Sequence, residues 1–239
     1  MLVAWWARLM ASDEDIFKQM RDEMVAVVVA ETAQLGELIG RAALDERVIQ
    51  ALAKVPRHEF VPAELRPYAY INSPLPIGCD KTISQPFIVA LMTDLLELDP
   101  GDVVLEVGTG LGYQAAVLAE LAARVYSIDI IEELSANARQ RLAAQDYANV
   151  DLRVGNGYYG WAEHAPYDKI MVTTAPDLIP PPLLAQLKPR GRMAIPCGIP
   201  NAQQLILVEK SASGAISTTN ILPVRFSELE EGEAPRMAG

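Results

Sequence analysis

The strongest constraint on this chain is one continuous stretch: the apolar run 103–107 (Val-Val-Leu-Glu-Val), the turn 108–112 (Gly-Thr-Gly-Leu-Gly) and the Ala-rich residues 113–122. A short run that is apolar at nearly every position suits a strand buried on both faces of a parallel sheet. Glycines let the backbone of the turn approach a ligand, and the helix that follows presents free N–H groups to it. Strand, glycine turn and helix in that order form a nucleoside-binding unit. Asp129 lies 19 residues beyond Gly110, at the end of the next expected strand (124–128), where a carboxylate can accept hydrogen bonds from a ribose diol.

The flanking pattern extends this unit. Expected strands at 150–154, 169–173 and 192–196 alternate with expected helices at 131–145 and 181–187, which implies a parallel sheet covered on both faces. Residues 204–210 and 216–224, joined near Ser213-Gly214, read as an antiparallel hairpin at the end of the sheet. Upstream, residues 13–54 read as helices, with Ser12 or Asp13 and then Asp45 as caps and Pro56 as the stop. Residues 56–83 carry Pro56, Pro62, Pro67, Pro74 and Pro76, a density that predicts a long connection without regular structure. Pro86 then suits the first position of another helix.

The spacing of the turn separates possible ligands. Dinucleotide-binding turns use G-x-G-x-x-G, whose third glycine lets the pyrophosphate and the helix come close. Here the spacing is G-x-G-x-G and Tyr113 stands at the place of that third glycine, which favours S-adenosylmethionine, a cofactor without phosphate. Gly108, Thr109, Gly110 and Gly112 are its expected cradle. Glu106, just before the turn, can face the cofactor's ammonium group or bond to turn amides. After the third strand, Asn156 and Gly157 can meet the adenine amino group, or form an ordinary turn. The expected fold is α/β: a Rossmann-like S-adenosylmethionine methyltransferase with a mostly parallel seven-stranded sheet, an antiparallel terminal hairpin and an N-terminal helical extension. The expected division is 1–81 (helices and proline-rich connection), 82–230 (cofactor-binding domain) and 231–239 (tail).

Composition excludes some partners. With 31 acidic and 20 basic residues the formal net charge is −11, and no Lys/Arg cluster is visible, so nucleic acid is not expected. Cys79 and Cys197 have no partners at ligand spacing, so neither a disulfide framework nor a metal site is expected, and a reducing cytoplasm fits. The apolar run 24–30 falls well short of the roughly 20 residues a membrane span needs. The apolar start, with Trp5 and Trp6, has no basic region ahead of it and reads as a packing helix, not a secretory signal. A monomer without membrane contact is expected.

Several stretches then match one family. Residues 55–62 (Val-Pro-Arg-His-Glu-Phe-Val-Pro), 74–78 (Pro-Leu-Pro-Ile-Gly), 82–86 (Thr-Ile-Ser-Gln-Pro), 105–119 and 155–161 (Gly-Asn-Gly-Tyr-Tyr-Gly-Trp) make the chain, from about Ala43 to Glu230, resemble the protein-L-isoaspartate O-methyltransferases. The resemblance implies S-adenosylmethionine as cofactor and isoaspartyl residues of damaged proteins as substrate. It implies Ser84 as the active-site serine, with Thr82 and Ile83 on the same loop over the cofactor, and Asp129 as the acid after strand two. It further implies a product ester that cyclises to a succinimide and reopens in part as normal aspartate. Two positions depart from the family pattern. Asn156 replaces an aspartate, keeping a carbonyl acceptor but losing the charge, and Asp80-Lys81 stands where many members have Gly-Gln.

The chemistry suits this set of residues. An isoaspartyl α-carboxylate is already ionised at pH 7, so no general base is required. The protein must supply proximity and alignment, with Ser84 as a positioning donor. Ser84 also suits a helix N-cap, two residues before Pro86. Three other readings compete: a methyltransferase of another carboxylate such as normal aspartate, a nicotinamide oxidoreductase, and a cofactor-binding module without activity.

Overall fold

The computed structural model describes residues 12–230; the apolar start with Trp5 and Trp6 and the tail 231–239 lie outside them. Ser12 opens the first helix, α1 (Asp13–Ile39), with a capping box in which its hydroxyl accepts the Asp15 N–H and the Asp15 carboxylate accepts the Ser12 N–H. Gly40, in the left-handed conformation, closes that helix. Asp45 caps α2 (Glu46–Lys54) by accepting the Arg47 N–H, and Pro56 follows its end.

The proline-rich connection is more ordered than its composition predicts. Strands β1 (Leu75–Gly78) and β2 (Lys81–Ile83) form a two-stranded antiparallel ribbon, and Arg57–Phe60 and Ala63–Tyr68 form 3-10 turns. Several of the prolines fall where an N–H is not needed, although Pro67 lies inside the second turn. Pro56 and Pro62 precede the two turns, and Pro76 lies in a ribbon that has no third strand to bond. Proline density counts missing donors; it does not say whether those donors had partners to lose.

The rest of the chain builds one sheet. In order come α3 (Pro86–Leu95), β3 (Val103–Val107), α4 (Tyr113–Ala119), β4 (Arg124–Asp129), α5 (Glu132–Ala144), β5 (Val150–Val154), β6 (Tyr167–Val172), α6 (Pro181–Gln186), β7 (Leu187–Cys197), β8 (Gln204–Lys210) and β9 (Ile216–Pro223). The strand order is β5-β4-β3-β6-β7-β8-β9. The pairs from β5 to β7 are parallel, and β8 and β9 add an antiparallel hairpin. This is the expected seven-stranded Rossmann-like sheet. Strand β7 starts earlier than the expected 192, because Leu187 already pairs with Tyr167 ahead of a register shift.

Period-two alternation splits the core between the two faces. Val104, Met171 and Ala194 join the larger cluster, which includes Met24 and Val28 of α1, Leu52 of α2 and Leu91 of α3. Leu105, Val107, Ile170, Val172 and Ile195 face the other cluster, with Leu183 of α6. The N-terminal helices thus share a core with the helices over the sheet. The chain runs outward from β3 through β4 to β5, then returns to place β6 on the other flank of β3. That reversal opens a crevice beyond the C-terminal ends of β3 and β6, the place where open α/β sheets hold ligands.

Candidate active site

A cavity of about 530 Å³ occupies this crevice, with Gly108, Gly110, Asp129, Gly157, Thr173 and Thr174 in its wall. Gly108 has φ +97°, and a Cβ there would lie 2.3 Å from Thr173 Oγ1. The same Thr173 hydroxyl lies 2.7 Å from the Gly108 carbonyl oxygen, to which it donates, so the turn is fastened to the end of β6. At Gly157 a Cβ would meet Val107 Cγ1 at 2.3 Å. Both positions therefore require glycine for close approach. Asp129 Oδ2 accepts the Gly110 N–H at 2.8 Å, and Oδ1 accepts the Ile131 N–H at 2.9 Å. Burial pushes this carboxyl above its ordinary range, while the two N–H donors and Lys81 pull it back. Each oxygen keeps a further lone pair for hydroxyl donors. A bare glycine backbone, a carboxylate with acceptor capacity left over and apolar walls at Ile128 and Ile130 fit an adenosyl group.

Five of the expected cofactor residues stand behind this wall. Glu106 is fully buried on the opposite side of the turn, and its carboxylate accepts a short hydrogen bond from the Ser127 hydroxyl. The Ser127 hydroxyl is 2.6 Å from that of Thr109. Burial pushes the Glu106 carboxyl up to about 8, and its second oxygen has no hydrogen-bond partner. The expectation that Glu106 faces an ammonium group is therefore corrected. In strand alternation Glu106 follows Val104 onto the core face, and it props the turn from beneath. Ile83 belongs to the same core, and Gly112 is the N-cap of α4. Asn156 Oδ1 accepts the Tyr158 N–H at 2.9 Å, which closes a local turn.

The other end of the cavity is built by Lys81, Thr82, Ser84 and Gln85, with Glu31 of α1 opposite. Ser84 is not a helix cap. The N-cap of α3 is Gln85, and the Phe87 N–H is taken by the Asn72 side chain at 3.0 Å. Asn72 is itself oriented by a short bond to the Glu31 carboxylate. With the capping position filled by Asn72, the Ser84 hydroxyl makes no hydrogen bond among the described residues. The Ser84 carbonyl accepts from Arg57 Nη2 at 2.7 Å, so its backbone is fixed while its hydroxyl is free. His58 is buried against Tyr70, 2.7 Å from its hydroxyl, and His164 stacks on Tyr126; neither is in the cavity wall.

The sequence reading missed Arg57, Asn72, Glu31 and the segment 222–230, which closes one side of the cavity. That segment is held by Gln203, whose Oε1 accepts the Phe226 N–H at 2.6 Å and whose Nε2 donates to the Phe226 carbonyl at 3.1 Å. It is held again by the Ala175 N–H to the Ser227 carbonyl at 2.8 Å. At its end Glu230 reaches back to Lys81 at 2.5 Å.

A glycine turn at a topological switch point, an acid after β4 and a hydroxyl-bearing loop across one cavity define a class, the Rossmann-like S-adenosylmethionine-dependent methyltransferases. The sequence pattern described as Protein-L-isoaspartate(D-aspartate) O-methyltransferase (PCMT) matches residues 32–234, and the chain belongs to that family. It is similar to protein-L-isoaspartate O-methyltransferase 1 of Polaromonas sp., with 66% identity over 92% of this chain and 93% of that protein. It is similar to protein-L-isoaspartate O-methyltransferase 2 of Syntrophobacter fumaroxidans at 56% identity, over 92% of this chain and 89% of that one. A solved protein-L-isoaspartate O-methyltransferase superposes with a TM-score of 0.76 at 28% identity, over 88% of this chain and 66% of that longer chain. A Plasmodium falciparum structure described as a beta-aspartate methyltransferase in complex with S-adenosyl-L-homocysteine shares the fold, with a TM-score of 0.71 at 21% identity, over 86% of this chain and 98% of that one.

Proposed function

We propose that this chain transfers a methyl group from S-adenosylmethionine to the α-carboxylate of L-isoaspartyl residues in damaged proteins, the first step of their repair. Family membership gives the reaction. The observation that carries the site assignment is the free hydroxyl of Ser84 in the same cavity as the Gly108 turn and Asp129. In this reading Asp129, Gly108, Gly110 and Gly157 hold the cofactor, with Thr82 closing over it. Bound there, S-adenosylmethionine supplies a methyl group on a positively charged sulfur. Residues of the chain contribute alignment. Ser84 Oγ donates to one oxygen of a carboxylate that is ionised at neutral pH, and leaves lone pairs on the other oxygen for the methyl group. No side chain has to remove a proton, which agrees with the placement of both histidines outside the cavity.

The same reading divides the chain into N-terminal helices with the proline-rich connection, up to residue 81, and the S-adenosylmethionine-binding domain at 82–230, in a monomer working in the cytoplasm on proteins and not on nucleic acid or membranes. Free thiols at Cys79 and Cys197 suit a reducing compartment. Among the described residues no helix is long and apolar enough to cross a membrane.

The test is methyl transfer to paired isoaspartyl and aspartyl peptides of one sequence, with the isoaspartyl member expected to be the acceptor. Equal transfer to both, or transfer to the aspartyl peptide alone, overturns the substrate assignment. Ser84→Ala is expected to lower kcat/KM by about tenfold or more, the value of one charge-assisted hydrogen bond. Affinity for S-adenosylhomocysteine, read by calorimetry, is expected to stay within about twofold, because Ser84 does not touch the glycine turn. Unchanged kcat/KM rejects the role of Ser84.

A further inference from the structure

The charges around the cavity leave one cation unmatched. Its wall holds the carboxylates Glu31, Asp129, Glu228 and Glu230 against the cations Lys81 and Arg225. Lys81 is held by Glu230 at 2.5 Å. Arg225 makes no ion pair or hydrogen bond among the described residues, and its side chain is exposed. Its backbone, by contrast, is fixed on both sides. The Val224 N–H donates to the Gln203 carbonyl at 3.1 Å, and Phe226 is bonded twice to the Gln203 side chain. Arg225, on a pinned backbone and with no ion pair among the described residues, thus borders a cavity rich in carboxylates.

We propose that Arg225 binds the reacting α-carboxylate of the substrate and makes the site prefer this anion to its methyl ester; the assignment rests on the substrate reading above. A carboxylate entering a wall with four carboxyl groups is repelled unless a cation meets it. A guanidinium matches a carboxylate with two parallel N–H donors, and the carboxylate has about four lone-pair positions. Ser84 and Arg225 together leave one oxygen a free lone pair for the methyl group. In the transfer that lone pair forms the O–CH3 bond, and the electron pair of the S–CH3 bond stays on sulfur. An anion and a sulfonium cation become a neutral ester and a neutral thioether. The ester no longer offers Arg225 a charge, so the bond that recruits the reactant is weakened in the product and release follows.

The experiment measures equilibrium binding of an isoaspartyl peptide, and of its synthetic α-methyl ester, to the full chain saturated with S-adenosylhomocysteine. Steady-state kinetics and ionic-strength dependence accompany it. For Arg225→Gln the Kd and KM of the acid peptide are expected to rise about 10- to 100-fold, with kcat within about threefold. Ester affinity is expected to hold, and the salt dependence of KM to flatten. Arg225→Lys, which keeps charge without the fork, is expected to fall between the two. Unchanged acid-peptide affinity, equal weakening of acid and ester, or a loss that falls on S-adenosylhomocysteine overturns the assignment. If the wild-type chain methylates the isoaspartyl peptide and Arg225→Gln is indifferent, only Arg225 is misassigned. If the wild type neither binds nor methylates that peptide, the substrate reading fails and takes this assignment with it.

Discussion

Arg57 is the residue on which the substrate side hangs. Its guanidinium is wholly buried and, among the described residues, has no carboxylate partner, an arrangement that costs a folded protein several kcal/mol unless other groups compensate. Burial lowers its pKa to about 10, which still leaves it charged at neutral pH. Nε donates to the Ala69 carbonyl at 2.8 Å and Nη2 to that of Ser84 at 2.7 Å, and the group lies 4.7 Å from the centroid of the Tyr113 ring. One cation therefore joins the proline-rich connection, the Ser84 loop and the first turn of α4. An ammonium cannot reproduce this fork. Arg57→Lys is expected to keep the fold by near-ultraviolet circular dichroism while kcat/KM drops about tenfold, the cost of one lost hydrogen bond from a charged donor. Parallel assays of both proteins on the isoaspartyl peptide check this, and an unaltered kcat/KM rejects it. Little of this was legible in the sequence. The acceptors are backbone carbonyls, which every residue carries, 12 and 27 positions away. Ser84 itself was legible from its motif. That its hydroxyl is free was not, because this depends on Asn72, 15 residues from the Phe87 N–H that donates to it, taking over the cap.

At the scale of elements, legibility follows the range of the determining contacts. The β3–turn–α4 unit is encoded locally, by a buried strand, glycines and a helix former in succession, and it lies where the sequence puts it. The β1–β2 ribbon was hidden because composition does not show which prolines fall at unbonded positions. The segment 222–230 was hidden because its anchors, Gln203, Ala175 and Lys81, lie far from it in sequence. The turn gives a direct test of backbone strain. Gly108→Ala must accommodate φ +97° and a Cβ 2.3 Å from Thr173 Oγ1, whereas Gly101→Ala meets no atom within 4 Å. The first is expected to lose about 1–3 kcal/mol of stability and most cofactor affinity, and the second to stay near wild type. Thermal unfolding with and without S-adenosylhomocysteine reads both. Equal behaviour of the two variants contradicts the packing account of the turn.

Charge organises the whole molecule in a way its linear order conceals. No run of Lys or Arg is visible in sequence, yet the fold gathers Arg41, Arg47, Lys169, Arg190, Arg192 and Lys210 around a second cavity near the start of β3 and β6. Carboxylates are interleaved there: Arg41 meets Asp94 at 2.7 Å, and Arg192 meets Glu97 at 2.6 Å and Glu209 at 2.8 Å. Arg41, Arg47, Lys169 and Arg192 are thus paired with carboxylates where they stand, and Lys210 donates to the Leu184 and Leu187 carbonyls. Buried carboxyls set a second global property. Burial raises the pKa of Glu106, Asp94, Asp102 and Asp129, whereas the lowered carboxyls Asp15, Asp45 and Glu163 are exposed and screened by water. Glu106 dominates, with its pKa raised from 4.5 to about 8 in the folded chain. Between those values the folded state keeps a proton that the unfolded state has released, so stability falls as pH rises through this window, by up to about 1.4 kcal/mol per pH unit. Above the folded value the full penalty is in place, and a net charge of −11 adds self-repulsion. Glu106→Gln removes the titration and keeps a side-chain carbonyl that can accept from Ser127. Its stability relative to wild type is expected to climb from pH 5 to pH 8 and then level off, as read by urea unfolding at half-unit steps. A constant difference between the two proteins across that range would mean that Glu106 is charged in the native state and that its partner beneath the turn is not Ser127 alone.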